Sequence, residues 1–318
     1  MRFAELHLHL EGTLEPELAF RLAERNNVTL PWCDVEDLRA RYDYGCLQDF
    51  LDIYYANMEV LRTAEDFTEL TNAYLARAAR AGVVRAEVFL DLQAHLARGL
   101  SAETVLGGVD AALRRAESDH GVSAGLIVTF LRHLPAADAE RAYDQALATG
   151  IDLLGIGLCS SEVGFPAAPF AALWERARAD GLHTVAHAGE EGDASYVWEA
   201  LRELKVERVD HGIRAMEDPA LVAHLREQRI PLTACPLSNV RLKAVPNLAA
   251  HPLPAMLDAG LLVTVNSDDP AYFGGYLDDN LDAVCAEFAL SEDQLATLAA
   301  NSIEASFLPP EEKERLRA

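Results

Sequence analysis

The sequence predicts a (β/α)8 barrel. Three observations lead there: eight short apolar runs rich in β-branched residues, amphipathic helical patterns between them, and 318 residues with no Gly/Ser/Pro-rich linker to divide them. Roughly 150 residues per domain would allow two domains, but α/β barrels of about 250 residues and more fold as one, so a single domain over 1–318 is expected. A doubly wound open sheet is the alternative that the same alternation allows.

The first strand is Phe3–Leu10. Roughly seventy residues (about 12–82) then precede the second, far more than an ordinary βα connection. They carry helical patterns, LQDFLDIYYANMEVL and AEDFTELTNAYLARAARAG. In a barrel this insertion leaves from the C-terminal rim, so it is expected to cover the active-site face as a lid or pocket wall, or else to thicken the outer ring of helices. The remaining strands are Val83–Asp91, Gly125–Leu131, Leu153–Cys159, His183–His187, Arg208–His211, Ile230–Cys235 and Leu261–Asn266. Between them AETVLGGVDAALRRAES, DAERAYDQALATG, FAALWERARADG, SYVWEALRELK and DPALVAHLREQR read as helices, several opening on a capping residue or closing at Gly.

Composition narrows the function. Lys and Arg number 27 against 51 Asp and Glu, a net charge of −24. That field repels phosphate polymers and anionic headgroups, so nucleic acid and membrane surfaces are poor partners and a small neutral or cationic molecule is a better one. No run approaches the ~18 apolar residues of a membrane span. The start MRFAELHLHLEG meets acidic residues and histidines too early for a signal peptide. Five Cys without framework spacing suit free thiols in a reducing compartment, with the cytoplasm as the expected location and the thiols expected as small core residues. A homo-oligomer is compatible with this composition.

The polar strand ends carry the chemistry. Strand one ends His7-Leu-His9, and residues i and i+2 of a strand share a face. Strand five ends His187-Ala-Gly-Glu190, strand six Asp210-His211-Gly212, and strand eight is followed by Ser267-Asp268-Asp269-Pro270. In a barrel these ends converge on one rim. Three imidazoles and a carboxylate there make a site of nitrogen and oxygen ligands suited to zinc or a similar divalent ion. A zinc site built on the paired thiolates of a C-x-x-C is excluded, because the chain has no such motif.

LHLHLEGTLEPEL, VAHAGEEG, VDHGIR, CPLSNVRLK and VNSDDPAYFGGY resemble the adenosine/adenine deaminase family, a branch of the zinc amidohydrolase barrels. The likeness runs nearly end to end, and LKVERVDHG, FLDIYY and DPAYFGGY are more similar to its adenine-deaminating subgroup. The resemblance implies hydrolytic deamination of a 6-aminopurine, adenine first, with one zinc ion per chain held by His7, His9, His187 and Asp268. It implies that Glu190 delivers a proton to the purine ring nitrogen beside the attacked carbon, that His211 orients and helps deprotonate the attacking water, and that Asp269 bonds the five-membered ring. Cys159, Ser160 and Glu11 complete the candidate substrate contacts. The alternatives are another 6-aminopurine (adenosine, an N6-substituted adenine, a 5′-modified adenosine) and, less favoured by the intact residue set, a non-catalytic purine-binding barrel.

Two positions depart from the subgroup. It usually carries Asp where this chain has Cys159, an acidic group able to accept N9–H of a free base; a thiol is only a weak acceptor. After strand two it often reads F-D-P-Q-x-H-T, whereas Leu90-Asp91-Leu92-Gln93-Ala94-His95-Leu96 stands here. Both changes fit a pocket adapted to an apolar substituent on adenine, and drift in a loop fits them as well.

Overall fold

The computed structural model describes residues 1–45 and 47–317. Its eight strands are β1 (Phe3–His9), β2 (Val83–Leu90), β3 (Ser123–Leu131), β4 (Gly155–Cys159), β5 (His183–Ala188), β6 (Arg208–His211), β7 (Leu232–Ala234) and β8 (Val263–Val265). Each pairs in parallel with the next, in the order β1 to β8. The ring closes at the rim, where Leu8 bridges Asp268: His9 N donates to Asp268 O at 2.9 Å and Asp268 N to His7 O at 3.1 Å. Deeper in the barrel side chains replace the missing ladder, since Leu6 N donates to Asn266 Oδ1 and Ala4 N to Ser302 Oγ. This is the (β/α)8 barrel expected, with each strand found within two residues of its predicted bounds.

β1 contains a register shift between Glu5 and Leu8 against β2, a bulge that resets the inward–outward alternation. Glu5 faces the helix Ala64–Arg80, accepting from Tyr74 Oη at 2.8 Å, while Leu6 packs with Ala4 and Ala305 in the barrel floor. Past the bulge His7 and His9 both turn inward, against Phe89. The floor also holds a buried ion cluster: Arg208 donates to Glu87 Oε2 at 2.5 Å and to Leu6 O, and Arg85 reaches Glu87 Oε1 at 3.3 Å.

The insertion packs in two places. Helices Pro16–Asn26 and Ala64–Arg80 join the main core through Leu18, Leu22, Phe67 and Leu70. Thr63 and Asp66 close a capping box at the start of the second. The stretch between them forms a separate apolar cluster, Leu38, Tyr44, Phe50, Ile53, Tyr54 and Met58, against Tyr272 and Phe273 beyond β8. Two helices differ from expectation. The one expected over 102–118 breaks at Arg114–Arg115 into Ala102–Leu113 and Ala116–His120. The one expected over 195–205 ends in a π-helical turn at Ala200–Leu204, stopped by Lys205 at φ 54°. Among the described residues no helix is long and apolar enough to cross a membrane.

Of the cysteines, Cys159 and Cys235 are buried, but Cys33 is exposed and Cys285 only partly covered, so the expectation of core thiols fails at those two. Cys46 lies outside the described residues.

Candidate active site

The strand ends turn their side chains into the barrel mouth through left-handed backbone. Ser160 (φ 77°), His211 (φ 62°) and Asp268 (φ 63°) are non-glycine residues in this region, and Gly189 (φ 70°) is their counterpart after β5. Such conformations persist where packing over-determines them, and here they mark four strand ends of one cavity. Its walls include His9, Asp91, Cys159, Ser160, His187, Glu190, His211, Asp268 and Asp269; Phe50, Leu51, Tyr54, Tyr55 and Leu242 close it from above. Its volume, open to the centre of a water molecule, is ≈ 60 Å³.

At the bottom, ligand atoms of His7, His9, His187 and Asp268 all lie within 4.8 Å of one another. The hydrogen bonds behind them fix what these atoms present. Thr233 Oγ1 donates to Asp210 Oδ1 at 3.1 Å and therefore accepts from His7 Nδ1–H at 2.9 Å, which turns His7 Nε2 toward Asp268 Oδ1 at 3.2 Å. His187 Nδ1 faces Asp210 at 3.4 Å and His9 Nδ1 faces Asp91 at 3.6 Å, so their Nε2 atoms, 3.1 Å apart, point at each other. Carboxylates behind ring nitrogens are how metal-ligating imidazoles are oriented. Facing lone pairs call for positive charge between them, and one proton cannot serve four ligand atoms while one cation can. Burial disfavours a charged His9, yet Asp91, 3.6 Å from its Nδ1, and the fields of Asp269 and Asp268 raise its pKa to about 10. The residues fit a divalent metal.

A second set, His7, His211, Cys235 and Asp268, meets the same spacing. Its chemistry is poorer. Burial, with Asp268 and Glu190 nearby, pushes the Cys235 thiol well up and away from the thiolate a metal needs. His211 is also engaged elsewhere. Leu253 N–H donates to His251 Nδ1 at 3.1 Å, His251 Nε2–H then donates to Asn239 Oδ1 at 3.2 Å, and the Asn239 amide donates to His211 Nδ1 at 3.3 Å. A backbone donor at one end fixes every link, and neutral His211 must carry its proton on Nε2. Burial and the nearby His7 push its pKa well down, which keeps it neutral.

Glu190 Oε2 lies 3.4 Å from His211 Nε2, and Oε1 has no partner. Burial and the negative charges of Asp268 and Glu191 raise its pKa well above the usual carboxylate range. Asp269 is likewise raised by burial and by Asp268, and its Oδ1 has no partner either. Asp268 itself is held well down, burial being outweighed by His7 beside its Oδ1, and Ser238 Oγ donates to its second oxygen at 2.6 Å.

All of the predicted site residues except His7 and Glu11 line this cavity, and His7 lies beneath it in the ligand cluster. Glu11 is wholly buried behind the wall, its Oε1 accepting from Asp91 N at 2.9 Å and from His95 Nε2 at 2.8 Å, so it braces the wall and does not line the cavity. The stretch after β2, read as a loop, is a short helix, Leu92–Ala97, in which Gln93 and His95 are both committed to internal hydrogen bonds. Cys159 donates its thiol hydrogen to Asp91 Oδ1 at 3.4 Å. Asp91, Asp210, Thr233, Ser238, Asn239 and His251 were given no role on sequence grounds. Asp91 and Asp210 had a signal, a carboxylate at a strand end. The others answer to partners remote in sequence.

The adenosine deaminase family model matches residues 3–318. An adenine deaminase of Streptomyces coelicolor is 57% identical over 314 residues, covering 99% of this chain and 92% of that protein. One of Rhodospirillum rubrum is 52% identical over 314 residues, covering 99% and 94%. The crystal structure of adenine deaminase from Arthrobacter aurescens superposes with a TM-score of 0.97 at 55% identity, covering 99% of this chain and 96% of that one. An amidohydrolase from Burkholderia ambifaria with bound zinc superposes with a TM-score of 0.90 at 26% identity, covering 100% and 88%. With the barrel, the ligand cluster and its full-length relatives in agreement, the chain belongs to the adenosine deaminase family.

Proposed function

We propose that residues 1–318 act as one domain that hydrolyses adenine to hypoxanthine and ammonia, with one zinc ion held by His7, His9, His187 and Asp268. The observation that carries this reading is the meeting of that ligand cluster with a carboxyl whose pKa burial and neighbouring carboxylates raise, Glu190, in one small cavity at the barrel mouth. Bound zinc would supply a Lewis acid that lets water ionise near neutral pH. The protein does the rest. Glu190 holds a proton where N1 of the ring would sit, and gives it up as the C6–O bond forms and charge builds on N1. His211, with its proton on Nε2, would orient the attacking oxygen as a hydrogen-bond donor, in place of the deprotonating role expected for it. Asp269 would pair with the five-membered ring. The hydroxyl proton of the C6 adduct then passes to the exocyclic amine as the C6–N bond breaks, so that C6=O forms and ammonia leaves, and the proton that water gave up on ionising returns Glu190 to its protonated form. Phe50, Tyr54 and Tyr55 keep bulk water off the ring plane.

Two measurements test this. Purified protein should contain about one equivalent of zinc, in line with a single ligand cluster. Chelation should lower both turnover and the thermal midpoint, and zinc should restore both. A protein holding no transition metal, and unchanged by zinc, would end the reading. A spectrophotometric panel of free bases, nucleosides and N6-substituted adenines should give its highest kcat/KM with adenine.

Cys159 favours a second reading, the same reaction on a substituted 6-aminopurine. Its thiol already donates to Asp91, leaving only sulfur to accept N9–H. Cys159→Asp as a neutral acid could keep that donation and accept N9–H with its other oxygen. It should lower KM for adenine by about tenfold, one hydrogen bond of roughly 1.4 kcal/mol. An unchanged KM would remove Cys159 from substrate selection.

A further inference from the structure

We propose that Glu162, in the loop after β4, is a positioning residue for Glu190: its carboxylate gathers the backbone N–H groups of Gly189, Glu190, Glu191 and Gly192 and so fixes where the proton donor stands. Glu162 is 2% exposed and lies outside the cavity wall. Its Oε1 accepts from Gly189 N at 2.6 Å; its Oε2 accepts from Glu190 N at 3.1 Å, Glu191 N at 2.9 Å and Gly192 N at 2.8 Å. These four amides lie between the end of β5 and the helix Ala194–Glu199, where neither ladder nor helix can take them. Only an ionised carboxylate offers enough lone pairs on one side chain, and such charge-assisted bonds are the stronger kind.

The turn is held from its other side as well. Arg132, just past β3, donates to His187 O at 2.9 Å and to Phe165 O at 2.8 Å. Gly189 sits at φ 70°, where an added Cβ would come within 2.5 Å of Val197 Cγ2, so the turn has little room to relax. The two charged residues thus bracket the stretch from a metal-ligand candidate, His187, to the proton donor three residues later. Since Glu190's own N–H is one of the four, the origin of its side chain is set by Glu162. A misplacement of about 1 Å in such a group can cost about 10²-fold in rate.

The inference rests on the proposed deaminase reading, and a double-mutant cycle with hydrogen exchange separates the two. Glu162→Gln replaces one acceptor with an NH2 group that opposes the backbone donors. It should lower kcat on adenine by about 10²-fold, with metal content retained and KM little changed. In a Glu190→Gln background the same change should cost almost nothing further, because the group it positions is gone. Amides 189–192 should exchange about tenfold faster or more in Glu162→Gln than in the parent, with the barrel strands unaltered. If Glu162→Gln does not fold, Glu162→Asp, which keeps the charge but shortens the reach, replaces it in the cycle with the same non-additive outcome expected. Equal fold losses with and without Glu190, or unaltered exchange at 189–192, would overturn the positioning role. A parent enzyme inactive on adenine would sink the proposed function instead, while the exchange measurement would still judge the clamp.

Discussion

At the scale of single residues the site depends on which atoms hold protons. His211 is an example: its chemistry is written by Asn239 and His251, neither of which touches the cavity. Asn239→Asp keeps the shape but turns a donor into an acceptor, so the proton of His211 moves to Nδ1 and a lone pair faces Glu190. We expect kcat to fall by about 10–100-fold, the usual cost of disturbing a group behind a catalytic one. Steady-state kinetics with metal content measured in parallel would check it, and an unchanged kcat would refute the relay. The sequence placed His211 at the rim correctly, but not its tautomer. That is set by a chain of bonds spanning 42 positions, from His211 to Leu253 (253 − 211 = 42).

At the scale of elements, the junction of β1 and β8 closes the ring and sets Asp268. Gly12, in the turn after β1, lies flat against Asp269: a Cβ there would stand 2.1 Å from Asp269 Oδ1 and 2.6 Å from its Cα. The backbone has no slack, because Asp268 N and O are both bonded to β1. Gly12→Ala should therefore push Asp268 and Asp269 off the rim. The expected result is about 1–3 kcal/mol of overpacking cost in denaturant unfolding, together with weakened metal retention. Full stability and full metal content in this variant would show that the junction yields more easily than its geometry implies.

Over the whole molecule, polar function sits at the mouth and a buried ion cluster at the floor. Burial opposes ionisation of Glu87, but Arg208 and Arg85, with bonds from Arg208 and Phe307 N, hold its pKa below the ordinary 4.5. A carboxyl with a depressed folded pKa stabilises fully above its unfolded value and loses that contribution as pH falls through the folded one. Glu87→Gln should cost about 3 kcal/mol at neutral pH, since it takes from buried Arg208 its nearest carboxylate and leaves Asp210, 3.8 Å from Nε, beside it. The gap between variant and parent should narrow below about pH 4.5 as the parent loses its own charge. Urea unfolding at several pH values measures both, and a gap independent of pH would show that Glu87 ionisation does not support the fold.

Periodicity alone located eight strands, the long insertion and the rim that collects His7, His9, His187, Glu190, His211 and Asp268, because an alternation of buried runs and amphipathic helices has few ways to bury its apolar faces. Strand β1 marks where that legibility stops. Glu5, His7 and His9 alternate in sequence as if they shared a face, yet the bulge sends Glu5 outward to Tyr74 and the two histidines inward. A bulge is settled by the strand's neighbours and not by its own residues. The same holds for Glu11 behind the wall, for the Glu162 clamp and for the proton on His211: each is decided by which distant donor or acceptor the closed barrel brings within 3 Å or so, a distance scale that hydrogen bonding imposes and sequence order does not encode.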